Sequence, residues 1–303
     1  MKFPAFALNL ALLGALCGAP ITASAAVVFS NIYAFGDSLT DTGNTSLASG
    51  GAYPGAAYYN GRYSDGPLWI ETMAGNLGLA APTPSLAGGN NFAFAGAYSA
   101  TGGLVPTISQ QITMFTGGGG FFQSTDLVVL WGGANDFILG GQTDPNIPAA
   151  NILSLIPSLA AAGAKSILLP NLPDLGDTPE LLATGNALAI AGFSQLSLGF
   201  NQTLAAQIPG LEASLGIDII PLDIYAIGKQ LRNNPSAYGF TNTTQSALLT
   251  GNGANAAGYI YWDGVHPTSR VHGIFAQGIP EPGSMLLLCF AGAGWATRRH
   301  RAA

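Results

Sequence analysis

The sequence predicts an α/β domain built on a parallel sheet. Three observations carry this. Apolar, strand-length runs recur at 31–35, 127–130, 167–169 and 217–222. Stretches with helical spacing stand between the later runs, and strand–helix alternation is the signature of parallel sheets. The runs are apolar at nearly every position, as strands covered on both faces are. Ligands of such sheets bind beyond the C-terminal ends of the strands. Ser38, Gly96 and Asn135 all stand at ends of that kind.

The chain of 303 residues is 48% hydrophobic and 8% charged. About 25% charged is usual for soluble domains. Its two ends account for part of the apolar excess. Lys2 precedes a nearly unbroken apolar run over 3–16, and Ala23-Ser24-Ala25 is a small-x-small site. Residues 1–25 therefore read as a secretory signal peptide cut after Ala25. At the other end, Pro280-Glu281-Pro282 precedes an apolar run over 284–296, and Arg298-Arg299-His300-Arg301 follows. This arrangement resembles the PEP-CTERM sorting signal of Gram-negative bacteria. The resemblance implies export, transient anchoring in the inner membrane, removal of the segment by an exosortase, and delivery to the cell surface or matrix. Residues 279–303 are accordingly expected to hold a short transmembrane helix and a basic tail.

Between these ends lies one domain, 26–278. Cys17 and Cys289 fall outside it, so disulfides, cysteine catalysis and cysteine zinc sites are excluded. It holds five basic residues against fourteen acidic ones, an acidic surface that excludes a nucleic-acid partner.

The first strand, 31–35, stops at Gly36-Asp37-Ser38, and a polar loop over 40–44 follows. A serine at such an end can act as a nucleophile. Residues 45–66 read as a long loop, in which Arg62 braces the chain. Residues 68–74 have helical spacing, and 90–97 read as a second strand ending in small residues. The strand over 127–130 runs into Gly132-Gly133-Ala134-Asn135-Asp136. There Asn135 suits either an Asx turn or an oxyanion donor. A helix is expected around 147–162, a strand at 165–170, and one long helix over 181–207, with Phe193, Leu196, Phe200 and Leu204 as its core face.

Of three histidines, His300 belongs to the tail and His272 reads as a helix-surface residue. His266 follows Asp263 by three residues, across Gly264, and Pro267 suits the first turn of a helix. An acid at that spacing can reach back to the imidazole Nδ1 and fix its tautomer. No phosphate loop, dinucleotide fingerprint or metal-ligand cluster is legible, so no cofactor and no metal are expected.

Taken together, Gly36-Asp37-Ser38-Leu39, the stretch over 91–97 with Gly96, Gly133-Ala134-Asn135-Asp136 and Asp263-Gly264-Val265-His266-Pro267 resemble the GDSL family of the SGNH hydrolase superfamily. Gly61-Arg62-Tyr63-Ser64-Asp65-Gly66, Asn171-Leu172-Pro173 and Phe200-Asn201 match its plant-esterase and lecithinase-like branch. One departure is Ala95-Gly96, where the family often has Gly-Gly. The resemblance implies a three-layer α/β/α sandwich and an exported carboxylester hydrolase acting on small-molecule or lipid esters. Ser38 would be the nucleophile, His266 the base and Asp263 its orienting acid. The amides of Ser38 and Gly96, with the Asn135 side chain, would bind the oxyanion. Acyl transfer, polysaccharide deacetylation and a non-catalytic matrix role are the alternatives. The substrate pocket is expected from loops 45–66 and 98–123.

Overall fold

A computed structural model of the chain describes residues 28–278. The expected signal peptide and sorting segment lie outside the described residues. Among those described, no helix is long and apolar enough to cross a membrane. The expectation of a transmembrane helix is corrected on that finding. The run it was placed on, 284–296, is outside the described residues and, at 13 residues, well short of the ~20 that a spanning helix needs.

The sheet has four parallel strands, β1 (Asn31–Gly36), β2 (Asp126–Trp131), β3 (Ser166–Pro170) and β4 (Asp218–Leu222), in the order β1-β2-β3-β4. Gly36 pairs with Trp131 and Pro170 with Leu222, so the strands end nearly level. Every residue of β2 and β3 is buried. Helices cover both faces, which gives the three layers. On one face Phe35, Val128, Leu130, Ile167, Leu169 and Ile219 form a core with the helices Ile108–Gly117, Asn146–Ala161 and Ala187–Leu215. On the other, Trp131 meets Trp69 of the helix Trp69–Asn76 and Phe275 of the helix Ser269–Gln277, with ring centroids 5.3 and 6.3 Å apart. A two-stranded parallel sheet, β5 (Asn242–Ser246) and β6 (Tyr259–Tyr261), stands apart and leads into the segment carrying Asp263 and His266.

Several elements differ from expectation. The stretch expected as a loop over 98–123 holds the helix Ile108–Gly117, and 45–66 begins inside the short helix Asn44–Ala48. Residues 90–97 form no strand. They lie along the free edge of β1, with Ala34 N donating to Asn90 O, Phe92 N to Ala34 O and Phe94 N to Gly36 O, but the ladder is incomplete. The reason is the next rung: Gly36 N, which would have to donate to Phe92 O, donates to the Gln111 side chain instead. The long helix over 181–207 is two helices, Pro179–Ala183 and Ala187–Leu215. Gly185 at φ +63° breaks the first, and Asn186 caps the second through Leu188 N and Ala189 N. The last helix begins at Ser269, two residues beyond Pro267, which instead bridges Tyr261.

Candidate active site

The nucleophile turn begins where β1 can no longer continue. Gly36 packs so close to the Trp131 carbonyl that a Cβ there would collide with it. The buried Gln111 finishes the ladder from the next helix, accepting from Gly36 N and donating to Gly36 O at 2.8 Å each. The chain then turns back on itself, with the amides of Thr40 and Asp41 donating to Asp37 O. Ser38 emerges on this turn, 8% exposed.

Asp41, fully buried, ties the turn together. It accepts from the amides of Gly43, Asn44 and Thr45, and from Ala95 N at 3.1 Å. Asn91 Nδ2 donates to Thr40 O at 2.7 Å. The polar loop 40–45 and the stretch 91–95 are thus one buried hydrogen-bonded unit, and buried polar groups satisfied this way are rigid.

The acid and base stand on the turn after β6. Trp262 N donates to His266 O at 2.8 Å and closes it. His266 Nδ1 lies 2.7 Å from Asp263 Oδ2, and His266 Nε2 lies 2.8 Å from Ser38 Oγ. Serine, imidazole and carboxylate form one hydrogen-bonded line, the arrangement that makes a hydroxyl nucleophilic. Asp263 Oδ1 accepts from the amides of Val265 and His266. Burial pushes the carboxyl up, but His266 and these amides outweigh it and hold Asp263 at about 2. Sequence reasoning missed a further partner, Tyr58, whose hydroxyl donates to Asp263 Oδ2 at 2.7 Å. Nothing in the pattern of a tyrosine within a polar loop points to a carboxylate 205 positions away.

Gly96 and Asn135 line the same cavity as Ser38 and His266. Gly96 has φ +82°, a left-handed conformation, with open space where a Cβ would stand. It is glycine for its backbone, not for room. The two neighbours in Ala95-Gly96 differ sharply. Ala95 N is held by Asp41 and Thr45, whereas the amides of Gly96 and Ser38 have no acceptor among the described residues. Asn135, near the start of the short helix Ala134–Ile138, spends one Nδ2 hydrogen on Ala97 O at 3.0 Å. Its second hydrogen remains available.

The cavity holds about 350 Å³ and is lined mainly by apolar side chains, among them Ile138, Leu139, Leu175, Leu231, Val271 and Phe275. Of the loops expected to build it, 45–66 contributes only Tyr63 and 98–123 contributes nothing. Most of the rest of its wall comes from 134–139, from 173–180 and from segments of later sequence, which a reading of loop composition cannot place. The cations at its edge are occupied: Lys229 Nζ pairs with Asp174 and Asp177, and Arg232 with Asp177. Arg62 is a brace, as expected, pairing with Glu71 at 2.7 Å. His272 is the correction. It is fully buried, and neither ring nitrogen has a partner among the described residues. It lies on the face of its helix that packs inward, beside Phe275.

Comparison with known proteins finds relatives along most of the chain. The family described as GDSL-like Lipase/Acylhydrolase matches residues 32–279, and the PEP-CTERM protein-sorting motif matches 278–301. The chain is 27% identical to the phosphatidylcholine-sterol acyltransferase of Aeromonas hydrophila, over 82% of this chain and 88% of that protein. It is 26% identical to a GDSL esterase/lipase of Arabidopsis thaliana, over 88% and 93%. Among solved structures it is similar to the M. smegmatis aryl esterase, at 15% identity, 87% and 99% coverage and a TM-score of 0.46. The match to the family runs through nearly all of the described residues, and on it the chain belongs to the GDSL-like lipase/acylhydrolases, with a PEP-CTERM sorting motif at its C-terminal end.

Proposed function

We propose that Ser38, His266 and Asp263 carry the ester hydrolysis of this GDSL-type serine hydrolase. The observation behind this is the line Ser38–His266–Asp263, with links of 2.8 and 2.7 Å, at the wall of an apolar cavity. Ser38 Oγ attacks the ester carbonyl while its proton passes to His266 Nε2. The amides of Ser38 and Gly96 and the free Asn135 hydrogen receive the negative oxygen. The C–O bond breaks, the alcohol leaves with the proton from His266, and the acyl group stays on Ser38. Water then enters with His266 again as base, and the acid is released. Asp263 remains ionised throughout and supports the imidazolium. The apolar cavity suits an uncharged acyl chain, since its neighbouring cations are already paired.

The test is hydrolysis of nitrophenyl esters of graded chain length by the 26–278 domain, with a fluorophosphonate probe alongside. Ser38→Ala should lower turnover by on the order of 10³-fold or more and abolish labelling, with the thermal midpoint unchanged. A variant that keeps near-full activity would remove the mechanism.

A second reading is acyl transfer, favoured by the name of the Aeromonas relative. The same acyl-enzyme would then pass its acyl group to an alcohol in place of water. Supplying a sterol or sugar acceptor decides it: a transferase yields acylated acceptor faster than free acid.

The sorting motif supports export and handling by an exosortase, after which the protein reaches the cell surface or matrix. In this reading the signal peptide is cut after Ala25 and the mature chain ends near Pro280. Intact-mass measurement of the exported protein checks both cuts, and a chain still running to Ala303 would contradict the second.

A further inference from the structure

Part of the loop 45–66 runs in step with the segment that holds the acid and base. Tyr58 reaches Asp263 through its hydroxyl. The Tyr63 ring lies 5.0 Å from the His266 ring, tilted by 46°. Ser64 Oγ donates to Pro267 O at 2.9 Å, and Ser269 N donates to Asp65 Oδ1 at 2.6 Å. Gly66 lets the two segments close, because a Cβ there would come within 2.7 Å of Ser269 Cβ. A loop that only connected two elements would not meet the triad segment at four successive points.

We propose that Tyr58 is a positioning residue for the reaction, its hydroxyl donating to the carboxylate oxygen that also holds His266 Nδ1 and so setting how firmly Asp263 supports the imidazolium. The inference rests on reading Ser38, His266 and Asp263 as the triad. An ionised carboxylate offers about four acceptor sites. In Asp263 the two on Oδ1 go to the amides of Val265 and His266, and those on Oδ2 to His266 Nδ1 and Tyr58. The hydroxyl is not needed to hold the ring. The Tyr58 ring packs between Tyr63 and Trp262, at 5.8 and 6.2 Å, and its amide bonds Gly55 O. Burial, and then the charge of Asp263 and the hydrogen bond to it, push the phenol up, so Tyr58 stays protonated and remains a donor.

Other titratable groups face this line. Asp37 stands on the nucleophile turn, Tyr63 on the same loop, His272 on the last helix, and Glu180 against Gly264. Removing only the Tyr58 hydroxyl leaves all of them in place. The negative charge on Asp263 Oδ2 is then shared with one donor fewer. The carboxylate becomes the stronger base, holds the imidazolium more firmly, and frees His266 Nε2 only at higher pH.

The experiment compares wild type and Tyr58→Phe in ester kcat/KM and in fluorophosphonate labelling from pH 5 to 9, with proton NMR of the His266 Nδ1 hydrogen. The acid limb should move up by roughly half a pH unit to one unit, giving a loss of about 3- to 10-fold at low pH that vanishes near pH 9. The Nδ1 proton signal should shift while the thermal midpoint stays close to wild type. A loss of equal size at every pH, or profiles that overlay, would overturn the positioning role. If wild type itself takes no probe, the triad reading fails first and this inference with it.

Discussion

Two buried turns bring a carboxylate to His266, and their carboxylates behave in opposite ways. Asp37, on the nucleophile turn, is 3% exposed, and Asp263, on the turn after β6, is 8% exposed. Burial pushes Asp37 up to about 6, against the smaller pull of Leu39 N and of His266. Asp263 also suffers burial, yet His266 and two amides bring it down to about 2. The difference is in the donors. Asp37 accepts a hydrogen bond from Leu39 N at 3.1 Å, while Asp263 accepts from Val265, His266 and Tyr58 as well as facing the imidazole ring. Burial sets the cost of a charge, and the donors around it decide which way the group moves. The nucleophile turn spends its donors elsewhere, on Asp41, to hold loop and backbone together.

The hardest test of this contrast is Asp263→Asn. An amide in that place cannot support the imidazolium and favours the wrong tautomer, so turnover should fall by roughly 10²- to 10⁴-fold with the fold intact. Stability should respond to pH as well. A carboxyl held below its ordinary 3.8 stabilises the folded state above that value, and the contribution is lost as pH falls through about 2. Urea denaturation of both proteins between pH 8 and 2 should show the wild-type advantage disappearing at the acid end. An advantage that persists to pH 2 would contradict the assignment.

Asp37→Asn should do the reverse. A carboxyl raised to about 6 costs stability once it ionises, so the wild type weakens as pH rises from about 4 through 6. The variant should be more stable at pH 8, by roughly 1–3 kcal/mol, and equal near pH 4. A variant less stable at pH 8 would mean that the charge on Asp37 is supported after all.

The smallest effect on activity is expected from His272→Leu. Burial, with a further contribution from His266, holds His272 down to about 3, so it stays neutral in the folded protein. An unfolded histidine takes up a proton below about 6.5, so the wild type loses stability as pH falls below that value. The variant should flatten this loss by something of order 1 kcal/mol while turnover stays within about threefold. A large fall in turnover at unchanged stability would place His272 in the reaction and blur the distinction between the two histidines.

The sequence by itself determined the class of fold and singled out Ser38, Asp263 and His266, which the structure brings within hydrogen-bond distance of one another. Unbroken apolar runs have one stable home, a sheet covered on both faces, and β2 and β3 are buried throughout. Asp263 and His266 were legible because their contact is local, across three residues and one glycine. Gly36 and Gly96 were legible as special positions, since a close approach or a positive φ selects glycine. What only the tertiary structure decided depends on contacts far apart in the chain. His272 and a surface histidine look alike in an amphipathic stretch until the helix Trp69–Asn76 and the helix Ser269–Gln277 pack together. Residues 90–97 have strand composition, but the Gln111 side chain, reaching over from the helix Ile108–Gly117, claims the Gly36 amide that the next rung would need. Ala95 and Gly96 are separated only by Asp41 and Thr45, which hold one amide and leave the next free. Tyr58 meets Asp263 across 205 positions, and no local pattern encodes a hydrogen bond of that reach, because it exists only once two loops have been laid side by side by the packing beneath them.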